Sequence, residues 1–139
     1  MVMVKASKES EAGQLPSKNE LTEMDQFNDE LIKAGVMLAG EGLQASSKGA
    51  RVRFDKSGKT TVTDGPFAET KELVAGFWIW QVKSKDEAIE WLKRAPFRNG
   101  EELEIRQVFE AADFGDNFSK DLIEKEDAWR RESGYGERK

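Results

Sequence analysis

The sequence predicts an α+β fold, a ferredoxin-like antiparallel sheet with helices on one face, an extra hairpin and a peripheral C-terminal helix. Three observations carry that prediction. Ser17 with Glu20 and Ser84 with Glu87 have the spacing of capping boxes, and each opens a helical stripe that lies between runs of β character. From Leu73 to Lys83 the residues alternate with both sets apolar in the middle, as suits an interior strand covered on both sides. "ELEIRQVF" then returns to period two.

Taken in order, "MVMVKA" reads as a short strand and "SKESEAGQL" as a polar loop. A helix is expected over 17–34, with Leu21, Met24, Phe27 and Leu31 on its inner stripe and Gly35 as its stop. "VMLAGEGLQ" is a strand, and "ARVRFD", "SGK" and "TTVTD" form a hairpin. In the aromatic strand Val74, Trp78, Trp80 and Val82 share one face, and Leu73, Ala75, Phe77 and Ile79 the other. The second face calls for a second layer, which a partner subunit can supply. A helix from Ser84 carries Ala88, Ile89, Trp91, Leu92 and Ala95 inward and stops before Pro96. The last core strand points Leu103, Ile105 and Phe109 inward. Ser119 caps a thinly apolar helix over 119–132, followed by a frayed "SGYGERK" tail.

The 139 residues suit one domain, and 37% hydrophobic with 35% charged residues places the chain among globular proteins. With 22 Lys and Arg against 27 Asp and Glu, the net charge of -5 offers no basic field for nucleic-acid phosphates. The longest apolar run, "LVAGFWIW", falls far short of a membrane-spanning helix, and the N-terminus lacks the apolar core of a secretory signal, so a cytoplasmic location is expected. Without cysteine there is no disulfide framework or thiolate metal site, and without histidine there is no imidazole base or histidine zinc site. Any general acid or base must be Asp, Glu, Lys or Tyr135.

The stretch "TDGPFAETKE" has two readings. Asp64 can accept backbone N–H groups of its own turn, Gly65 can adopt conformations closed to other residues, and Pro66 fixes the next φ, so all three build a turn. Alternatively Asp64 and Glu69 are catalytic carboxylates, with Asp64 a general base and Glu69 or Glu41 an acid of raised pKa in a shared cleft. Glu69 and Thr70 lie where a loop can carry side chains into a cleft, and Glu41 sits between two glycines that let a ligand come close. Trp78 and Trp80 are core or ligand-contacting aromatics. "GEGLQA" lacks the third glycine and helix of a dinucleotide fingerprint, and the spacing of Glu41, Asp64, Glu69 and Glu72 matches no metal-binding loop. Neither a cofactor nor a metal is expected.

"AGEGLQ" at 39–44, "VTDGPFAETKE" at 62–72 and the "GFWIWQVKSKDEAIEW" that follows resemble the DGPFAETKE proteins, a branch of the YCII-related family. The likeness covers residues 1–111 and leaves 112–139 as a helical extension and tail. It implies a homodimeric α+β barrel in which two ferredoxin-like sheets pack face to face. It also implies a largely uncharacterised function, near extracytoplasmic-function sigma factors beside which such proteins are often encoded. Related YCII-type proteins look like enzymes with a His and an Asp in a cleft, and this chain departs from them in having no histidine.

Three functions follow. The first is a homodimeric small-molecule-binding or regulatory protein whose cleft is edged by the 64–72 loop. The second is an enzyme using carboxylate chemistry on a small carbonyl or lactone-like substrate. The third is a partner of a sigma factor.

Overall fold

The computed structural model describes residues 1–134, so Tyr135 and most of the C-terminal tail lie outside the described residues. The chain divides into two compact units, Met1–Ile105 and a second that begins at Arg106. The first holds strands β1 (Val2–Lys5), β2 (Met37–Gly42), β3 (Ala50–Phe54), β4 (Thr60–Asp64), β5 (Val74–Trp80) and β6 (Leu103–Ile105). Its helices are α1 (Lys8–Glu11), α2 (Lys18–Lys33) and α3 (Lys85–Leu92).

Four strands form one antiparallel sheet in the order β2–β5–β1–β6, with β5 interior as its two apolar faces require. α2 connects β1 to β2 and α3 connects β5 to β6, which is the split βαβ arrangement of a ferredoxin-like α+β fold. The hairpin β3–β4 stands apart as a two-stranded sheet. Its turn is built by Asp55, whose Oδ1 accepts from the Ser57 amide and hydroxyl and from the Lys59 amide. Those bonds, the Ser57 hydroxyl first, hold the Asp55 carboxyl below its usual range.

The helix ends follow local chemistry. The Ser17 side chain accepts from Glu20 N–H while Glu20 accepts from Ser17 N–H, a complete capping box that also draws the Glu20 carboxyl down. α2 stops at Gly35, at φ +70°, where Val36 N–H reaches the Leu31 carbonyl and Gly35 N–H the Ile32 carbonyl. This pair of bonds is a Schellman motif, and it needs the left-handed residue that glycine supplies. Ser84 caps α3 by accepting from Glu87 N–H, but the Glu87 carboxylate turns to Lys83 N–H, one residue before the cap.

The core lies between one face of the sheet and these two helices. Val2, Phe27, Leu31, Val36 and Trp78 are its buried centre, with Met24, Trp80, Trp91, Leu92, Leu103 and Ile105 packed against it. Burying side chains of this size contributes about 1.5–3 kcal/mol each. Phe27 meets Trp78 and Trp80 edge-on at 6.1 and 6.3 Å between ring centroids. Phe77 pairs with Met3 and with Glu41, and Ile79 with Ala39, on the opposite face, where Met3, Phe77, Ile79 and Ala39 are half-buried.

Four local expectations are corrected. The "SKESEAGQL" segment is not all loop, because Ser7 and Ser10 cap each other and wind 8–11 into a helical turn. α3 ends at Leu92, after which Arg94 and Ala95 continue with tighter bonds to residues three back. β6 stops at Ile105, opposite Val2 of β1, and Phe109 is 68% exposed instead of inward. The fourth concerns Asp64 and is taken up below.

The second unit contains 3-10 turns over Ala111–Asn117 and α4 (Lys120–Ser133), capped by the Ser119 side chain as expected. Phe114 stacks obliquely between Phe109 and Phe118, at 5.1 and 5.5 Å. Among the described residues no helix is long and apolar enough to cross a membrane.

Candidate functional site

The first unit contains a cavity of about 840 Å³ at one end of the four-stranded sheet, lined by Met24 and Asn28 of α2 and by the strand ends Gly40–Gly42 and Ala75–Trp78. Its walls include Val4, Met24, Trp78 and Phe97, with Asn28 among them, and the 10–16 and 42–48 segments close over it. A cavity of this size, apolar where Val4, Met24, Trp78 and Phe97 line it and polar along the 7–14 and 44–48 segments, can take a small molecule.

Trp78 is its fixed wall. The ring is 5% exposed, meets Phe27, Trp80 and Phe97, and donates its indole N–H to Asn28 Oδ1 at 2.9 Å. Gly40 is required beside it. A Cβ there would lie 2.6 Å from Trp78 Cδ1 and 2.9 Å from Met37 Cε, closer than real side chains approach. Asn28 comes from α2, where Met24, Phe27 and Leu31 also face inward, so it is an amide set within an apolar stripe.

The 64–72 turn is not capped by Asp64 as the turn reading expects. The Asp64 carboxylate forms no hydrogen bond or ion pair among the described residues, so it does not cap its own turn. The turn is held from outside. Phe67 N–H, three residues on from Asp64, donates to Ser46 Oγ at 3.0 Å, and Gly65 N–H donates to the Gly49 carbonyl. Ser46 in turn gives its hydroxyl and its amide to the Glu11 carboxylate, at 2.5 and 3.1 Å, tying α1 to the loop. Gly65 carries the close approach, since a Cβ there would sit 1.8 Å from the Ser46 carbonyl oxygen, and the Gly65–Pro66 peptide is cis. Arg51 of β3 lies 3.9 Å over the Phe67 ring and 3.6 Å from Glu69, both Arg51 and Glu69 being about half exposed.

Of the residues singled out from sequence, the structure brings Trp78 and Glu41 to the cavity and leaves Asp64, Glu69, Thr70 and Trp80 out of its lining. Glu41 contributes from the sheet edge. Gly40 faces Trp78, so strand alternation puts the Glu41 side chain on the other face, beside Phe77. Thr70 begins a 3-10 turn and is half-buried there. Trp80 is a core aromatic whose buried indole N–H meets no acceptor among the described residues. No group of carboxylates able to hold a metal occurs among the described residues. Sequence reading missed Asn28 and Glu11. The signal for Asn28 is a polar residue four after Met24 and three before Leu31, inside the apolar stripe; Glu11 has no local signal, because its partner lies 35 residues away.

An antiparallel sheet with two helices on one face and a cavity at its end defines an α+β domain of ferredoxin-like type. Residues 1–112 match the YCII-related domain, and the chain belongs to that family. Among curated proteins, 62 residues align at 37% identity with an uncharacterised protein of Rhizobium meliloti (strain 1021). The alignment covers 45% of this chain and 49% of that protein, so the chain spans about half the length of the curated relative it matches.

Proposed function

We propose that the chain is a small-molecule-binding protein whose ligand occupies the cavity beside Trp78 and Asn28. The observation that carries this reading is the cavity itself, about 840 Å³ beside a rigid aromatic wall, where the Asn28 amide is oriented by its bond to Trp78. The 64–72 loop serves as a structural brace in this reading, since its amides and its Phe67 ring are engaged by Ser46 and Arg51. The protein acts as a homodimer through the face of Met3, Phe77, Ile79 and Ala39. Those half-buried side chains form the apolar centre of the face opposite the helices, with Glu41 and Glu104 on its flanks, and a second copy would cover it.

Two measurements test this. A fragment screen followed by amide and indole NMR shifts should give hits that move the Trp78 indole N–H and residues 10–16 and 42–48. Hits confined to residues 64–72 would overturn the site. A solution mass equal to one chain at micromolar concentration would overturn the dimer.

A further inference from the structure

We propose that the cavity selects an uncharged, largely apolar carbonyl compound whose oxygen accepts a hydrogen bond from Asn28 Nδ2. The inference rests on the ligand-site reading above and adds the ligand class.

An indole N–H can only donate, so the Asn28 amide must turn its oxygen toward Trp78, and the 2.9 Å bond fixes that orientation. What Asn28 has left to offer is its Nδ2 hydrogens. Among the described residues these meet no acceptor, although Asn28 lines the cavity and is half-buried. Nδ2 is not a buried orphan like Trp80 Nε1, so it opens to the space beside it and can donate to an oxygen or nitrogen acceptor on whatever fills that space.

Charge narrows the class. Most ionisable residues around the cavity are engaged elsewhere; Lys48, exposed in the 42–48 segment, has no ion pair among the described residues. Lys5 pairs with Glu104 at 3.2 Å, Glu11 is bound by Ser46, and Glu101 accepts from Arg98 N–H at 2.8 Å. Glu41 points to the opposite face of the sheet, and Lys48 is exposed. The walls next to Asn28 are Val4, Met24, Trp78 and Phe97. A carboxylate or ammonium among them would lose hydration without gaining a counter-charge, whereas a ketone, lactone or amide carbonyl loses less and regains a hydrogen bond.

The test uses the full-length protein with acetophenone, ethylbenzene and benzoate as probes that differ at one group. Acetophenone should move both the Trp78 indole N–H and the Asn28 side-chain amide signals. Ethylbenzene should move Trp78 alone, and benzoate should bind at least about tenfold more weakly than acetophenone. Asn28→Asp keeps an oxygen for the Trp78 indole and removes the donors. It should weaken acetophenone on the order of tenfold more than ethylbenzene, a ratio that cancels their difference in hydrophobicity. An equal loss for both probes, an unmoved Asn28 amide, or benzoate binding as tightly as acetophenone would overturn the ligand class. If ethylbenzene binds and only the carbonyl preference is missing, the ligand class fails and the site stands. If no probe moves Trp78, the site itself fails. Should Asn28→Asp not fold, the wild-type Asn28 amide shift decides.

Discussion

Gly40→Ala probes the packing on which the cavity depends. The added Cβ would stand 2.6 Å from Trp78 Cδ1, 3.1 Å from Trp78 Nε1 and 2.9 Å from Met37 Cε. Met37 has a flexible thioether end and can give way, but Trp78 is held by Phe27, Trp80 and Phe97 and by its bond to Asn28. Overpacking of this kind costs about 1–3 kcal/mol, and displacing the indole adds about 1 kcal/mol for its hydrogen bond. The stiffer unfolded chain offsets about 0.4–1 kcal/mol of this. The net expectation is a loss of about 2 kcal/mol, which at a urea slope of about 1–3 kcal/mol per molar lowers the unfolding midpoint by roughly 1 M. Gly42→Ala is the matched control, since nothing lies within 4 Å of its Cβ position, and it should be neutral or stabilising by up to about 1 kcal/mol. The assay is urea unfolding followed by far-UV circular dichroism, with the Trp78 indole NMR signal as a local reporter. Gly40→Ala within about 0.5 kcal/mol of wild type, or Gly42→Ala as damaging as Gly40→Ala, would refute the packing argument.

Other perturbations separate the brace from the site. Ser46→Ala removes the hydroxyl that joins Glu11 to Phe67 N–H and should cost about 1–2 kcal/mol in urea unfolding, with shifts concentrated at 64–70. Asp64→Asn and Glu69→Gln alter exposed side chains and should change stability by no more than about 0.5 kcal/mol. They should also leave ligand affinity at the cavity unchanged, and a tenfold loss from either would return the loop to the site. Because the Asp55 carboxyl is depressed in the fold, its support of the hairpin turn is complete above its unfolded pKa and is lost as pH falls through the folded value. An NMR titration should place its midpoint below 3.8, and a midpoint at or above that value contradicts the turn geometry.

The features legible in the sequence are those written within a few residues. Ser17 and Glu20 announce a helix start, Gly35 its end, and the alternation through Trp78 and Trp80 shows an interior strand with two apolar faces. That Glu41 points away from Trp78 follows only from the register, which sets Gly40 against Trp78 and Glu41 against Phe77. What escapes is set by distant partners. Asn28 meets Trp78 across 50 residues, and Glu11 meets Ser46 across 35, so neither pairing has a local pattern. Asp64 reads as its own turn's cap because Asp commonly is one, yet Ser46 arrives first at Phe67 N–H. β6 ends at Ile105, opposite Val2, although "RQVF" continues the alternating pattern. Propensity describes each segment alone, and the length of a strand depends on its neighbour.

The most direct test of the account is a crystal structure of the protein soaked with a cocktail of small neutral aromatic ketones. The account predicts ligand density between Trp78 and Phe97 with the carbonyl oxygen within hydrogen-bonding distance of Asn28 Nδ2. Density gathered against Asp64 and Glu69, with the cavity beside Trp78 left to solvent, would contradict it.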